Sequence, residues 1–460
     1  MRQTRIAALI LLAALAFSAC VPASPKPSPT PGLPAASETS GPTLTPTSQP
    51  LGVDPASLRG INIQVWNALD GPALEIFNEQ ADQFSATNEW GILVTPTNYG
   101  DYPALSDAVN TAQASGGLPD LVIALPEQTL AWNATGSVID LDPYLRDPLS
   151  GLGTDAITDI PSIFWSQDNV NGKQLGLPAQ RSARFLFYNK TWAHELGFNA
   201  PPQNADKFRQ QACAANASFR LDNDVTNDSK GGWVVDSHWQ TDYSWLLAFG
   251  GGVSDGNVYG FSTDTNLASM QFLKKLTTDY CAWPSETPYD SFAARSALFI
   301  SGDLAEAASA AESMQRLKNT DEWTMIPFPG PQGQVVITVY GPSYTLLKST
   351  PETQLAAWLF ARWMLSPENQ AQWVEATGLF PLRTSLLDMI GPFRANLPQW
   401  DAAVSNLPLG QTTPQLSSWS KVRYVLEDGM TIIFQATTPM DQIPNELTDM
   451  DNMAEELSNK

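Results

Sequence analysis

A chain of 460 residues has room for about two or three domains and a sizeable core, which excludes a short disulfide scaffold or a single small module. Lys and Arg number 25 against 47 Asp and Glu, a formal charge of −22, so little in the chain would replace the counterions of a nucleic-acid backbone. Charged residues make up only 16% while aromatics reach 10%, with 15 Trp, which excludes disorder of the whole chain and points to a neutral ligand with flat apolar faces.

The first 20 residues have the pattern of an export signal. Arg2 and Arg5 precede the apolar run Ile6 to Phe17, which is too short for a bilayer core that needs ~20 residues. The closing Ser18-Ala19-Cys20 resembles a lipoprotein signal and makes Cys20 the lipidated first residue of the mature chain, although Phe17 departs from the aliphatic residue usual there. An ordinary secretory signal with an incidental Cys is the other reading. Residues 21–52 hold nine prolines and ten Ser or Thr, a composition that cannot bury a core, and 21–57 is expected to be an extended tether. With Cys20 lipidated, Cys213 and Cys281 remain as an even pair outside the cytosol, so a bridge between them is expected, against two separate buried thiols.

From residue 60 strands and helices alternate. Ile61 to Trp66 has period two; Leu74, Phe77, Ala81 and Phe84 then recur at helical spacing before Gly91-Ile92-Leu93-Val94, the start of a βαβ unit. Leu121 to Leu125 is apolar throughout, as in a strand covered on both faces. Strands are expected at 174–178 and 185–190, and helices around 204–217, 240–249 and 264–282. Ala293 to Ile300 is another apolar periodic stretch, and Val335 to Tyr340 and Tyr344 to Leu347 read as strands around Gly341-Pro342. A helix over 352–365 is followed by Ser366-Pro367-Glu368, a cap and first-turn signature, with Gly378 at the far end. The last 60 residues are helical and amphipathic. No repeat of 20–50 residues is present.

These landmarks resemble, in order, the extracellular solute-binding proteins of bacterial ABC importers, specifically the maltodextrin-type sugar-binding family. The segments carrying the resemblance are Gly117-Leu118-Pro119-Asp120-Leu121-Val122, Gly136 to Leu145, Asn171 to Pro178, Tyr188-Asn189-Lys190, Gly197-Phe198, Pro201-Pro202 and Phe249-Gly250-Gly251. Further along they are Ile326-Pro327-Phe328-Pro329-Gly330, Tyr340-Gly341-Pro342, Ala356 to Gln370 and Gly378-Leu379-Phe380-Pro381-Leu382-Arg383. The resemblance covers roughly 60–450. It implies an α/β, two-lobed periplasmic-binding-protein-like (type II) fold, each lobe a mixed sheet flanked by helices, with hinge crossovers between lobes and a ligand in the cleft. The first lobe is expected from 58–168 plus 293–335 and the second from 172–290 plus 345–460. Both bridging cysteines then fall in the second lobe, clear of the hinge.

The candidate ligand residues follow from chemistry and from this resemblance. Trp66 ends the first strand, and Glu127 and Gln128 follow the strand 121–125, at the carboxyl edge where open α/β sheets meet ligands. A Trp face for a sugar ring, with carboxylate or amide groups for its hydroxyls, is what a neutral polyol needs. A core aromatic is the bland reading of Trp66, and a solvated loop acid that of Glu127. Arg181 suits vicinal hydroxyls, against a surface salt bridge. Trp239, Asp242 and Tyr243 share one face of a helix where the family places sugar-stacking aromatics, against packing of the same stripe into the core. Trp419 and Arg423, four apart, match another sugar-stacking region of the family. Tyr340 and Ser343 flank the hinge glycine, and Arg383 is placed at the rim.

Enzyme signatures fail. Gly252-Val253-Ser254-Asp255-Gly256 fits a nucleophile elbow, but His194 and His238 both precede it, so the Ser, acid, His order is not met. Residues 222–228 begin like a calcium loop, yet Asn227 replaces the turn Gly and Trp233 stands in place of the bidentate Glu. No cofactor or metal is expected. The partners expected are a sugar and the permease subunits of an importer, for a monomer outside the cell membrane attached through its lipid alone. The alternatives are a glycerol phosphate or polyamine receptor, a sugar sensor, and a secreted carbohydrate-active enzyme using Glu127 and Asp242.

Overall fold

The computed structural model describes residues 51–459, so the export signal, Cys20 and most of the tether lie outside the described residues. Where description begins, Val53 is already buried, and Asp54 caps a short 3-10 turn, Pro55–Leu58, whose Leu58 enters the core. The expected tether end at residue 57 is therefore several residues too late.

Two sheets organise the chain. In the first, Asn62–Asn67 runs parallel to Leu93–Asn98 on one side and to Leu121–Ala124 on the other. Ser343–Leu346 then pairs antiparallel with Leu121–Ala124, and Leu177–Pro178 closes the edge. In the second, Ser182–Asn189 is central and pairs antiparallel with Phe299–Asp303, Trp323–Ile326 and Val335–Tyr340. The wholly apolar 121–124 is buried at every position, as expected of a strand covered on both faces.

The pairings correct the expected lobe boundaries. Residues 293–335, placed with the first lobe, supply three strands, Phe299–Asp303, Trp323–Ile326 and Phe328–Pro329, to the second sheet. Conversely, residues 343–377, placed mostly with the second lobe, belong to the first. Their strand joins the first sheet, Phe360 packs edge-on to Phe77 and Phe84, and the Gln80 amide donates to Asn369 O at 2.9 Å. Apolar periodicity marks a segment as strand or helix but carries no information about which sheet adopts it.

Local signals were more legible. Thr350 and Ser366 cap the helices Pro351–Met364 and Pro367–Thr377, each with Pro in its first turn, and Gly378 ends the second in the left-handed region at φ 68°. The helix expected over 264–282 stops at Thr278, and Tyr280, at φ 60°, turns the chain into the short strand Ala282–Trp283.

Between the sheets the chain crosses at Ala179–Arg181 and returns at Gly341–Pro342, and the N–H groups of Ala179 and Gln180 both donate to Pro342 O. A Cβ on Gly341 would lie 2.4 Å from Gln180 O, so close approach of the two crossovers requires glycine there. Phe380 N donates to Arg181 O at 2.9 Å, bringing a third segment to the same place.

Cys213, on the helix Ala205–Arg220, is bonded to Cys281 with a Cα–Cα distance of 4.4 Å. The bridge closes a loop within the second lobe across a sequence separation of 68. Replacing both cysteines with serine is expected to lower stability by roughly 2–4 kcal/mol, measured as a lower urea midpoint relative to the oxidised protein. No change in midpoint would mean that the bridge constrains neither state.

Candidate ligand-binding site

The helix Pro126–Ala134 springs from the carboxyl end of the strand Leu121–Ala124, with Pro at its first position. Its first turn presents Glu127, which is 1% exposed. Glu127 Oε1 accepts a hydrogen bond from the Tyr340 hydroxyl at 2.7 Å and one from Arg423 Nη1 at 2.9 Å, while Oε2 is buried with no hydrogen-bond partner. Arg423 Nη1 also donates to the Tyr340 hydroxyl at 2.9 Å. Glu127 comes from the first lobe, Tyr340 from a hinge strand and Arg423 from the second-lobe helix Trp419–Phe434.

Aromatic rings surround this knot. The Arg423 guanidinium lies over Trp239, 5.6 Å from the ring centre. Trp239 meets Tyr340 and Trp419 edge-on at 5.0 and 5.6 Å, Tyr243 lies 5.8 Å from Trp419, and Tyr259 is nearly parallel to Trp419 at 6.5 Å. Trp239 and Tyr243 occupy one face of the helix Trp239–Ala248, whose start is capped by His238 Nδ1 accepting from Gln240 N at 3.3 Å. Trp419 is fully buried, and its Nε1 has no hydrogen-bond partner.

Burial raises the Glu127 carboxyl above its ordinary value, and Arg423 and Tyr340 pull it partway back. Burial opposes the charge on Arg423, but Tyr340 and Glu127 outweigh it and hold the guanidinium protonated. His238 is pushed down to about 4, first by burial and then by Arg184, so it is neutral at pH 7. Asp242, on the same helix as Trp239, is buried with both carboxylate oxygens unpartnered. Burial and then the charges of Asp236 and Glu427 raise it well above the usual carboxylate range.

That shift fixes a pH dependence. The folded protein keeps the Asp242 proton at pH values where the unfolded chain, titrating near 3.8, has lost it, so stability falls as pH rises from about 4 towards the raised value. Asp242→Asn is expected to flatten this fall and to raise the melting temperature at pH 7 to 8, read from thermal melts at several pH values. An unchanged slope would place the proton elsewhere.

The structure thus brings together Glu127, Trp239, Tyr243, Tyr340 and Trp419, with Asp242 on the same helix, and leaves other expected residues apart. Arg181 has no exposed surface. Its guanidinium meets Asp168 Oδ2 at 2.6 Å and donates to the carbonyls of Phe164, Gly341 and Pro342, so it holds the hinge and offers nothing to vicinal hydroxyls. Ser343 is also buried there, donating to Asp168 Oδ2 at 2.6 Å. Gln128 spends its side chain on backbone groups, accepting from Leu125 N at its own helix start and donating to Tyr102 O at the start of another helix. Arg383 faces Asp159 at 3.9 Å beside Ser385, away from the aromatic cluster. Trp66 is half-buried against Tyr99 at 4.9 Å, on the sheet edge from which Glu127 arises. Tyr259 was missed, because a lone Tyr in a two-residue strand carries no periodic signal. Arg423, noted for its spacing from Trp419, is the centre of the cluster. Nearby, Trp165, Asn169, Gln174, Asn257 and Gln415 line an uncharged recess of about 800 Å³.

Among the described residues no group of three or more His, Cys, Asp or Glu side chains is placed to hold a metal ion. In the 222–228 loop, Asp222 and Asp224 accept hydrogen bonds from Asp224 N and Thr226 N, as in Asx turns. No helix among the described residues is long and apolar enough to cross a membrane.

Two sheets joined by a hinge, with charged and aromatic side chains converging between them, define a two-lobed binding protein. The chain belongs to the bacterial extracellular solute-binding protein family, whose sequence profile matches residues 79–403. As a member of that family it is an extracellular solute-binding protein. The sn-glycerol-3-phosphate-binding periplasmic protein UgpB of Yersinia pestis is 21% identical over 411 residues, covering 83% of this chain and 90% of that protein. The sugar-binding protein MalE from Xanthomonas citri superposes with a TM-score of 0.72 at 18% identity, over 86% of this chain and 97% of that one. UgpB from Mycobacterium tuberculosis, solved in complex with glycerophosphocholine, superposes with a TM-score of 0.69 at 18% identity, over 86% and 98%.

Proposed function

We propose that the protein captures a neutral mono- or oligosaccharide between its lobes and delivers it to the membrane permease of its importer. The observation that carries this reading is the charge balance inside the aromatic cluster. Arg423 is already matched by Glu127 at 2.9 Å, so no unpaired cation of the cluster faces a phosphate. Trp239, Tyr243 and Tyr259, packed around the buried Trp419, supply flat apolar faces, and the unpartnered Glu127 Oε2 supplies an acceptor for hydroxyls. The sugar-binding description of the Xanthomonas citri relative supports the same class. The UgpB relatives favour sn-glycerol-3-phosphate or its diesters, and they provide the competing outcome of the test.

The reading is completed by Cys20 as a lipid anchor, residues 21–52 as the tether, and a monomeric body held at the outer face of the cell membrane. A thermal-shift screen of maltose, maltotriose, other neutral mono- and oligosaccharides, sn-glycerol-3-phosphate, glycerophosphocholine and spermidine tests the ligand class. A melting-temperature rise with one or more neutral sugars is expected. A rise confined to the phosphate compounds or spermidine would overturn it.

A further inference from the structure

Glu127 and Arg423 are 296 residues apart in sequence and sit on opposite sides of the cleft. The helix carrying Glu127 follows a central strand of the first sheet. The helix carrying Arg423 buries Val422, Val425 and Leu426 in the second-lobe core. The two side chains are 1% and 10% exposed, so the pair is withdrawn from water where the lobes meet. Rotation about 179–181 and 341–342 that widens the cleft has to pull them apart. Tyr340, at the hinge end of its strand, donates to Glu127 Oε1 and accepts from Arg423 Nη1, so first lobe, hinge and second lobe meet at one point. A further polar tie is of a different kind: Gln415, an exposed neutral amide, donates to the carbonyls of Ser166 and Asn169 at 2.9 Å.

We propose that the Glu127–Arg423 ion pair, with Tyr340 as its third member, is a latch that biases the two lobes towards closure and so tunes the affinity of the cleft. Where a solute binds the closed form, its apparent affinity scales with the closed fraction, and a tenfold loss of that fraction weakens binding tenfold. The latch therefore regulates the site through an equilibrium of the protein itself. The inference rests on the cleft being the binding site, but not on the solute being a sugar.

The test is the interlobe distance distribution of solute-free protein, measured between spin labels at the exposed positions Glu79 and Thr278, which lie on helices of different lobes. It is recorded for wild type, E127Q, R423M and the double variant, each checked for folding by circular dichroism. Each single variant is expected to enlarge the open population at least fivefold, and the double variant to open no further than either one, because both changes break one contact. If one single variant does not fold, the other makes the same comparison with wild type. Unchanged distributions, or a double variant whose opening is the sum of the two singles, would overturn the latch. Because no solute is present, that failure would leave the sugar reading untouched.

Discussion

Replacing Asp168 with alanine is expected to lower stability by ~3–5 kcal/mol, the largest effect of any single polar substitution considered for this protein. Arg181 has no exposed surface, and among the described residues Asp168 is its one carboxylate partner, at 2.6 Å. Removing that partner leaves a guanidinium buried without a counterion. The backbone carbonyls around it supply hydrogen bonds but no charge. Burial already disfavours the charged form of each partner, and the attraction between them is what offsets it. Urea unfolding at pH 7 should show the loss as a lower midpoint at unchanged slope. The double replacement of Asp168 and Arg181 by leucine and methionine should be much milder than D168A alone, since a buried pair exchanged for apolar groups of similar size is often tolerated. A loss under about 1 kcal/mol for D168A would mean that Arg181 is not desolvated in solution.

The second large effect falls on ligand affinity. Trp419 is fully buried, and Trp239, Tyr243 and Tyr259 all pack against it, so its ring fixes the shape of the aromatic cluster. Trp419→Ala is expected to weaken binding of the neutral sugar by roughly 2–4 kcal/mol, about 30- to 1000-fold, the range of a buried aromatic anchor. Calorimetric titration of W419A and W419F, with folding checked by thermal melts, separates binding from stability. The phenylalanine variant should retain most of the stability and lose affinity by a smaller factor. Unchanged affinity in a folded W419A would remove this cluster from the binding site.

How far the sequence revealed the site depended on the distance over which each feature is decided. Caps, turns and apolar runs are settled within a few residues, so the strand 121–124, the helix started by Ser366-Pro367 and its Gly378 terminus were legible. The Trp239 and Tyr243 pair was legible from helical spacing. Arg181 could not be placed, because an Arg three residues beyond a Leu-Pro strand looks the same whether it meets a sugar or Asp168. Its role is set by Phe164, Asp168 and Pro342, which come from other segments. The lobe boundaries failed for the same reason: the partner of the strand Phe299–Asp303 is more than a hundred residues earlier in the chain. Arg423 became central only when the fold brought it against Glu127.

The central claim is that a neutral sugar sits in the interlobe cleft on the aromatic faces packed around Trp419, beside the Glu127–Arg423 pair. A crystal structure of the protein with the sugar identified by the thermal-shift screen tests it most directly. The account predicts sugar hydroxyls within hydrogen-bond distance of Glu127 or Arg423 and a ring over Trp239, Tyr243 or Tyr259. A ligand found only in the recess lined by Trp165, Asn169 and Gln415, or an anionic ligand that displaces Glu127 from Arg423, would contradict it.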